Sequence, residues 1–109
     1  MPRDEIPPGT LYMMILKTLA RGGEMHGFEI ANSIQRLSED VLRVEEGSLY
    51  PALQRMLVKG WVTAKWGTTG DNRRARYYRL TPAGRKQLEI ELSQFERVIG
   101  AIQRVIEAT

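Results

Sequence analysis

Glu45-Glu46-Gly47-Ser48-Leu49-Tyr50-Pro51-Ala52-Leu53-Gln54-Arg55-Met56-Leu57 runs on through Gly60-Trp61-Val62 to Asn72-Arg73-Arg74-Ala75-Arg76-Tyr77-Tyr78-Arg79-Leu80-Thr81-Pro82. The first part reads as a helix starting near Gly47-Ser48, with Leu49, Leu53, Met56 and Leu57 as its buried stripe. Pro51 is expected in the first turn, where a proline removes no internal hydrogen bond. Gly60 ends the helix, and Trp61 to Trp66 reads as a strand. Gly67 to Asn72 is turn material, and Ala75 to Leu80 is the returning strand. Thr81-Pro82 then marks a helix start, a hydroxyl cap followed by proline at the first helical position.

Upstream, Tyr12, Ile15, Leu16 and Leu19 form a helical face within a helix expected over 10–21, which Gly22-Gly23 closes. A second helix is expected from His26 to Leu37, with Phe28, Ile30, Ile34 and Leu37 as its apolar contacts. Val41 to Val44 reads as a short strand. Residues 1–9 hold three of the five prolines and read as an arm without regular structure. Downstream, one helix from Pro82 to Ala108 would be about 40 Å long. Leu88, Leu92, Phe95, Ile99, Ile102 and Ile106 follow each other at alternating spacings of four and three, a heptad seam that wants a partner helix. Three short helices cannot cover that seam, so part of it is expected to pack on a second copy of the chain. The expected fold is mainly α with a small β-hairpin: a winged helix-turn-helix over 10–81, followed by a C-terminal dimerisation helix over 82–109.

Bulk properties narrow the function classes. A chain of 109 residues with 42% hydrophobic content makes one domain with a modest core. With no cysteine, disulfides, thiolate metal sites and cysteine nucleophiles are excluded. The longest apolar run, Leu11 to Leu16, is far short of the roughly 20 residues that cross a bilayer. Met1-Pro2-Arg3-Asp4-Glu5 lacks the apolar stretch of a secretory signal, so a cytoplasmic protein without a membrane partner is expected. His26 is the only histidine, which rules out a histidine metal cluster within one chain and suits a cap or phosphate contact. No phosphate-cradling glycine loop, paired catalytic carboxylates or nucleophile–base pair can be assembled. No enzyme activity, metal or cofactor is expected.

The charge is placed rather than spread. Arg55 to Lys86 carries nine basic residues and one acid, a net +8, whereas the rest of the chain is −5. Reading duplex DNA requires a slim element for the major groove, side chains that bond base edges, and cations for phosphates. With its apolar stripe turned inward, the third helix presents Ser48, Tyr50, Pro51, Gln54 and Arg55. Gln54 suits adenine, Arg55 suits guanine, and Ser48 and Tyr50 suit phosphates or a base edge. Strand alternation puts Arg74, Arg76 and Tyr78 on one face and Arg73, Ala75, Tyr77 and Arg79 on the other. Arg73, Arg74 and Arg76 are expected at the wing tip, against phosphates or the minor groove. At least one of Tyr77 and Tyr78 belongs to the core. Trp61 is expected in the core and Trp66 partly exposed under the hairpin. A winged-helix module docking an acidic protein or RNA is the alternative from another class.

Together, Glu45-Glu46-Gly47-Ser48-Leu49-Tyr50-Pro51-Ala52-Leu53, Lys59-Gly60-Trp61-Val62, the Asn72-to-Tyr78 wing, Leu80-Thr81-Pro82-Ala83-Gly84 and His26-Gly27 resemble the PadR family of bacterial transcriptional regulators. The likeness extends over roughly residues 9–95, and the single C-terminal helix resembles the compact subgroup. The resemblance implies a homodimeric repressor of a palindromic operator on double-stranded DNA, released by a small-molecule effector. Its implied ligand pocket lies between the first and last helices, near Tyr12, Phe95 and Ile99.

Overall fold

In a computed structural model, which describes residues 4–5 and 9–109, three helices and a small sheet enclose the core and a fourth helix projects from it. Helix α1 (Leu11–Gly22) buries Met13, Ile15, Leu16 and Leu19. Helix α2 (Gly27–Leu37) follows strand β2 (Met25–His26) and is capped by His26. The imidazole Nδ1 accepts from the Glu29 amide at 3.4 Å, and the Glu29 carboxylate accepts from the His26 amide at 3.1 Å. This reciprocal box satisfies two amides that a helix start leaves open. Ile30 and Ile34 face the core. Phe28 and Leu37, expected beside them, instead stand 70% and 49% exposed. Two residues rotate a helix by about 200°, so Phe28 points away from the side that Ile30 buries, and Leu37 is the helix's last residue.

Helix α3 (Glu46–Val58) starts earlier than the sequence suggests, because the Glu45 carbonyl already accepts from the Ser48 and Leu49 amides at 3.0 and 2.9 Å. Pro51 therefore sits in the second turn, where it cannot donate to the Gly47 carbonyl. Gly47 is exposed, which leaves that carbonyl open to water. Leu49, Ala52, Leu53 and Met56 are the buried residues, and Leu57 is half-buried. Gly60 follows at a φ of 77°, the left-handed geometry that closes the helix.

Strands β4 (Val62–Thr68) and β5 (Arg74–Leu80) pair antiparallel, and β2 adds to the other edge of β5. A two-residue strand such as β2 has no periodicity to betray it in sequence. The register sets Val62 against Leu80, Ala64 against Tyr78, and Trp66 against Arg76. One sheet face therefore begins as core and continues past the core's edge as Trp66, Arg76 and Arg74. The expected N-terminal arm contains one paired element: β1 (Asp4–Glu5) runs parallel to β3 (Leu42–Arg43). The rest of the arm, apart from Gly9, lies outside the described residues.

Helix α4 (Pro82–Glu107) is capped by Thr81, whose hydroxyl accepts from the Gly84 amide at 2.9 Å. The same hydroxyl donates to the Gly60 carbonyl at 2.6 Å, tying the end of α3 to the start of α4. Along the seam, Leu88 is buried and Leu92 half-buried against the core. Farther along, Phe95, Ile102 and Ile106 are 38%, 47% and 74% exposed, with Val98 and Val105 exposed beside them.

Candidate nucleic-acid interface

Burial of Leu49, Ala52, Leu53 and Met56 decides what α3 shows outside. Gly47, Pro51, Gln54 and Val58 recur at helical spacing as one outward stripe, and all four are exposed. Val58 stands 81% exposed in that stripe. The flanks differ. Ser48 and Arg55, two turns apart, share the flank that faces α1. There Arg55 Nε donates to the Tyr12 hydroxyl, and the guanidinium lies 5.6 Å from the Tyr12 ring centroid. Trp61 meets the same ring edge-on at 5.5 Å.

Tyr50 occupies the opposite flank, toward α2. Its ring lies so close to Gly27 that a Cβ there would stand 2.8 Å from the phenol oxygen and from a ring carbon. The His26-Gly27 pair thus has two local duties: the histidine caps α2, and the glycine makes room for Tyr50.

The wing is ordered from its tip. Thr69 donates its hydroxyl to Asp71, and Asp71 pairs with Arg73 at 3.4 Å. The Thr69 hydrogen bond, aided by Arg73, holds the Asp71 carboxyl below the usual carboxylate range. Arg74 is exposed, with its guanidinium 4.6 Å from the Trp66 ring centroid. Arg76 is half-buried on the same face, next along from Tyr78, whose phenol pKa is pushed up by burial against the opposing influence of Arg76. Arg79 and Lys65 lie on the reverse face, where Lys65 pairs with Glu24 at 3.4 Å. The basic stretch is thereby divided, with Arg73, Arg74 and Arg76 bordering a common groove.

That groove has a volume of about 820 Å³. Its helical wall carries His26, Phe28 and Tyr50, and its wing wall carries Trp66 and the three arginines. Phe28 and Trp66 were not read as site residues from the sequence. Trp66, expected to be partly exposed, is 59% exposed, whereas the 70% exposure of Phe28 becomes visible only once the core is drawn around it. Among the described residues, no cluster of histidine, aspartate and glutamate could hold a metal ion, and no helix is long and apolar enough to cross a membrane.

Known proteins share this arrangement. Residues 15–90 match the model of the transcriptional regulator PadR-like family. A transcriptional regulator of Mycobacterium tuberculosis is 39% identical over 69 residues, covering 63% of this chain and 61% of that protein. An uncharacterised Lysinibacillus sphaericus protein is 27% identical over 107 residues, covering 98% of this chain and 97% of its own length. Among solved structures, a Clostridium thermocellum transcriptional regulator superposes with a TM-score of 0.82 at 26% identity, over 91% of this chain and 95% of that one. A PadR family regulator from Eggerthella lenta gives a TM-score of 0.76 at 25% identity, over 93% and 85% of the two chains. With the family's match extending over most of the winged-helix core and into α4, the chain belongs to the PadR-like family of DNA-binding transcriptional regulators.

Proposed function

We propose that the protein is a homodimeric repressor that reads a palindromic operator through α3 and grips the flanking backbone with its wing. The observation that carries this reading is the common groove, with Tyr50 of α3 beside the start of α2 on one wall and three arginines on the other. In this arrangement Gln54 reads adenine from the outward stripe, and the neighbouring Val58 offers an apolar contact to a thymine methyl. Ser48 and Tyr50 contact phosphates, and Pro51 packs against the groove wall. Arg55 reaches DNA by exchanging the Tyr12 hydroxyl for a phosphate or guanine. His26 contributes by capping α2, and Arg73, Arg74 and Arg76 contact phosphates or the minor groove.

The outer part of the seam, with Phe95, Ile102 and Ile106 exposed and Ile99 half-buried, supports the dimer. Apolar side chains in a heptad register bury each other when a second α4 packs alongside. A two-fold pair then sets two copies of α3 about 34 Å apart, one duplex turn. A small-molecule effector acting near Tyr12, Phe95 and Ile99 would release DNA by shifting α4 against α1. The protein would work in the cytoplasm, where a bacterial chromosome lies.

An electrophoretic titration against duplex DNA at two salt concentrations tests the reading. Saturable binding that weakens steeply with salt is expected, since several phosphate contacts release counterions. Arg74→Ala should lower affinity for all sequences, whereas Gln54→Ala should change the preference among sites. Absence of saturable duplex binding at low salt would overturn the proposal in favour of docking to an acidic protein or RNA.

A further inference from the structure

The three arginines bordering the groove are held in different ways. Arg73 is 82% exposed and pairs with the Asp71 carboxylate in the tip turn. Arg76 is half-buried at the edge of the core beside Tyr78. Arg74 has no carboxylate partner among the described residues and lies on the Trp66 ring, 4.6 Å from its centroid. The register sets Thr68 opposite Arg74 and Trp66 opposite Arg76, so Trp66 and Arg74 are diagonal neighbours on the groove face.

Burial does not account for an indole at this position. The packed face of the sheet ends at Ala64 and Tyr78, and Trp66 beyond them is 59% exposed. What the ring supplies is a flat surface for a flat cation. Stacking occupies one face of a guanidinium, while its five N–H donors radiate from the edge in the plane and stay open to a ligand. An arginine held this way keeps its full charge and loses less side-chain freedom when its donors engage an anion.

We propose that Trp66 is a positioning residue that holds Arg74 edge-outward, making Arg74 the leading anchor of the wing on duplex DNA. The inference rests on the duplex-binding reading above and adds a division of labour within the wing. Arg73 is partly neutralised by Asp71 and orders the tip. Arg76 lines the floor of the groove. Arg74 brings a preset fork of donors to the backbone or minor groove.

A double-mutant cycle on the full chain tests it, with duplex affinity as the readout. Trp66→Leu should weaken binding about twofold to fivefold, the range for an exposed cation–aromatic contact. Arg74→Ala should weaken it more than either Arg73→Ala or Arg76→Ala. In the Arg74→Ala background, Trp66→Leu should add nothing. With Arg74 present, Trp66→Phe, unlike Trp66→Leu, should keep most of the parent affinity. Equal losses from Trp66→Leu in both backgrounds would mean that the ring acts on its own, and the positioning role would be wrong. An unchanged affinity for Trp66→Leu would refute it as well. A parent protein that never binds duplex saturably would strike down the functional reading first and the positioning role with it, whereas saturable binding with an additive cycle would remove the positioning role alone.

Discussion

Replacing Gly84 with alanine sets helix propensity against packing, and the structure decides the sign. Gly84 lies in the first turn of α4, where alanine is favoured over glycine by up to about 1 kcal/mol. Its missing side chain, however, is where the backbone leaving α3 passes. A Cβ at this position would stand 2.1 Å from the Trp61 carbonyl oxygen, 3.0 Å from its carbon and 2.8 Å from Leu80 Cδ1. An ordinary carbon–oxygen contact is about 3.3 Å or longer, so the chain must separate by more than 1 Å. Most of the obstruction is main chain and cannot rotate away. The Trp61 oxygen also accepts the Thr81 amide at 3.0 Å, so moving it endangers the Thr81 cap.

Overpacking of this kind costs about 1–3 kcal/mol, and a strained hydrogen bond adds about 1 kcal/mol. After subtracting the propensity gain, Gly84→Ala should lose about 1–3 kcal/mol, or a drop in Tm of roughly 4–15 °C for a domain of this size. Thermal unfolding followed by circular dichroism, at matched protein concentration to hold any dimerisation constant, measures it. Gly100→Ala is the internal control, because a Cβ there meets nothing nearer than an Arg104 nitrogen at 3.6 Å. It should hold or raise Tm. A Gly84→Ala protein as stable as the parent would refute the argument that close approach, rather than chance, put glycine in this turn.

Three further outcomes are expected. Gly27→Ala should leave Tm within a few degrees, since the Tyr50 side chain it strikes at 2.8 Å can swing into solvent, but should weaken duplex binding by displacing that ring from the groove wall. Unchanged DNA affinity in a titration would show that the position of Tyr50 is immaterial. Ile102→Asp should leave the winged-helix core folded and convert a dimer to monomer in sedimentation, because a carboxylate on a 47%-exposed seam residue is tolerated in water but not between two helices. Unaltered sedimentation would place the dimer contact elsewhere. Finally, the Asp71 carboxyl should titrate below its ordinary 3.8 when followed by NMR. A depressed folded pKa means that the stabilising contribution is present above the unfolded value and is lost as pH falls through the folded one, so the tip turn should loosen only in that acid window. Thr69→Val should return the titration toward 3.8; no movement would reassign the cause.

The local grammar of the fold was legible in sequence because it rests on neighbours. Apolar spacing located the four helices, and Thr81-Pro82 marked the start of α4 before any contact was known. His26, read as a cap or a phosphate contact, caps α2. Alternation put Arg74, Arg76 and Tyr78 together, as the sheet does. Pro51, expected in the first turn, sits in the second because the Glu45 carbonyl begins the helix earlier.

What sequence could not rank was the exposed set. An amphipathic pattern says that a helix has an outside but not which flank of it is taken. Arg55, read as a partner for guanine, also meets Tyr12, 43 positions away, which the sequence did not announce. Phe28 resembled core until the core closed without it.

By itself, the sequence determined the order of the four helices and the hairpin, the placement of charge and the heptad seam of α4. These follow from residue type and from periods of about two and 3.6, which act over a few positions. Tertiary structure decided that Lys65 of the hairpin pairs with Glu24, that Tyr50 leans into the space of Gly27, and that Arg74 rests on Trp66. Those are contacts between elements, and their geometry exists only after the hydrophobic core has set the distances.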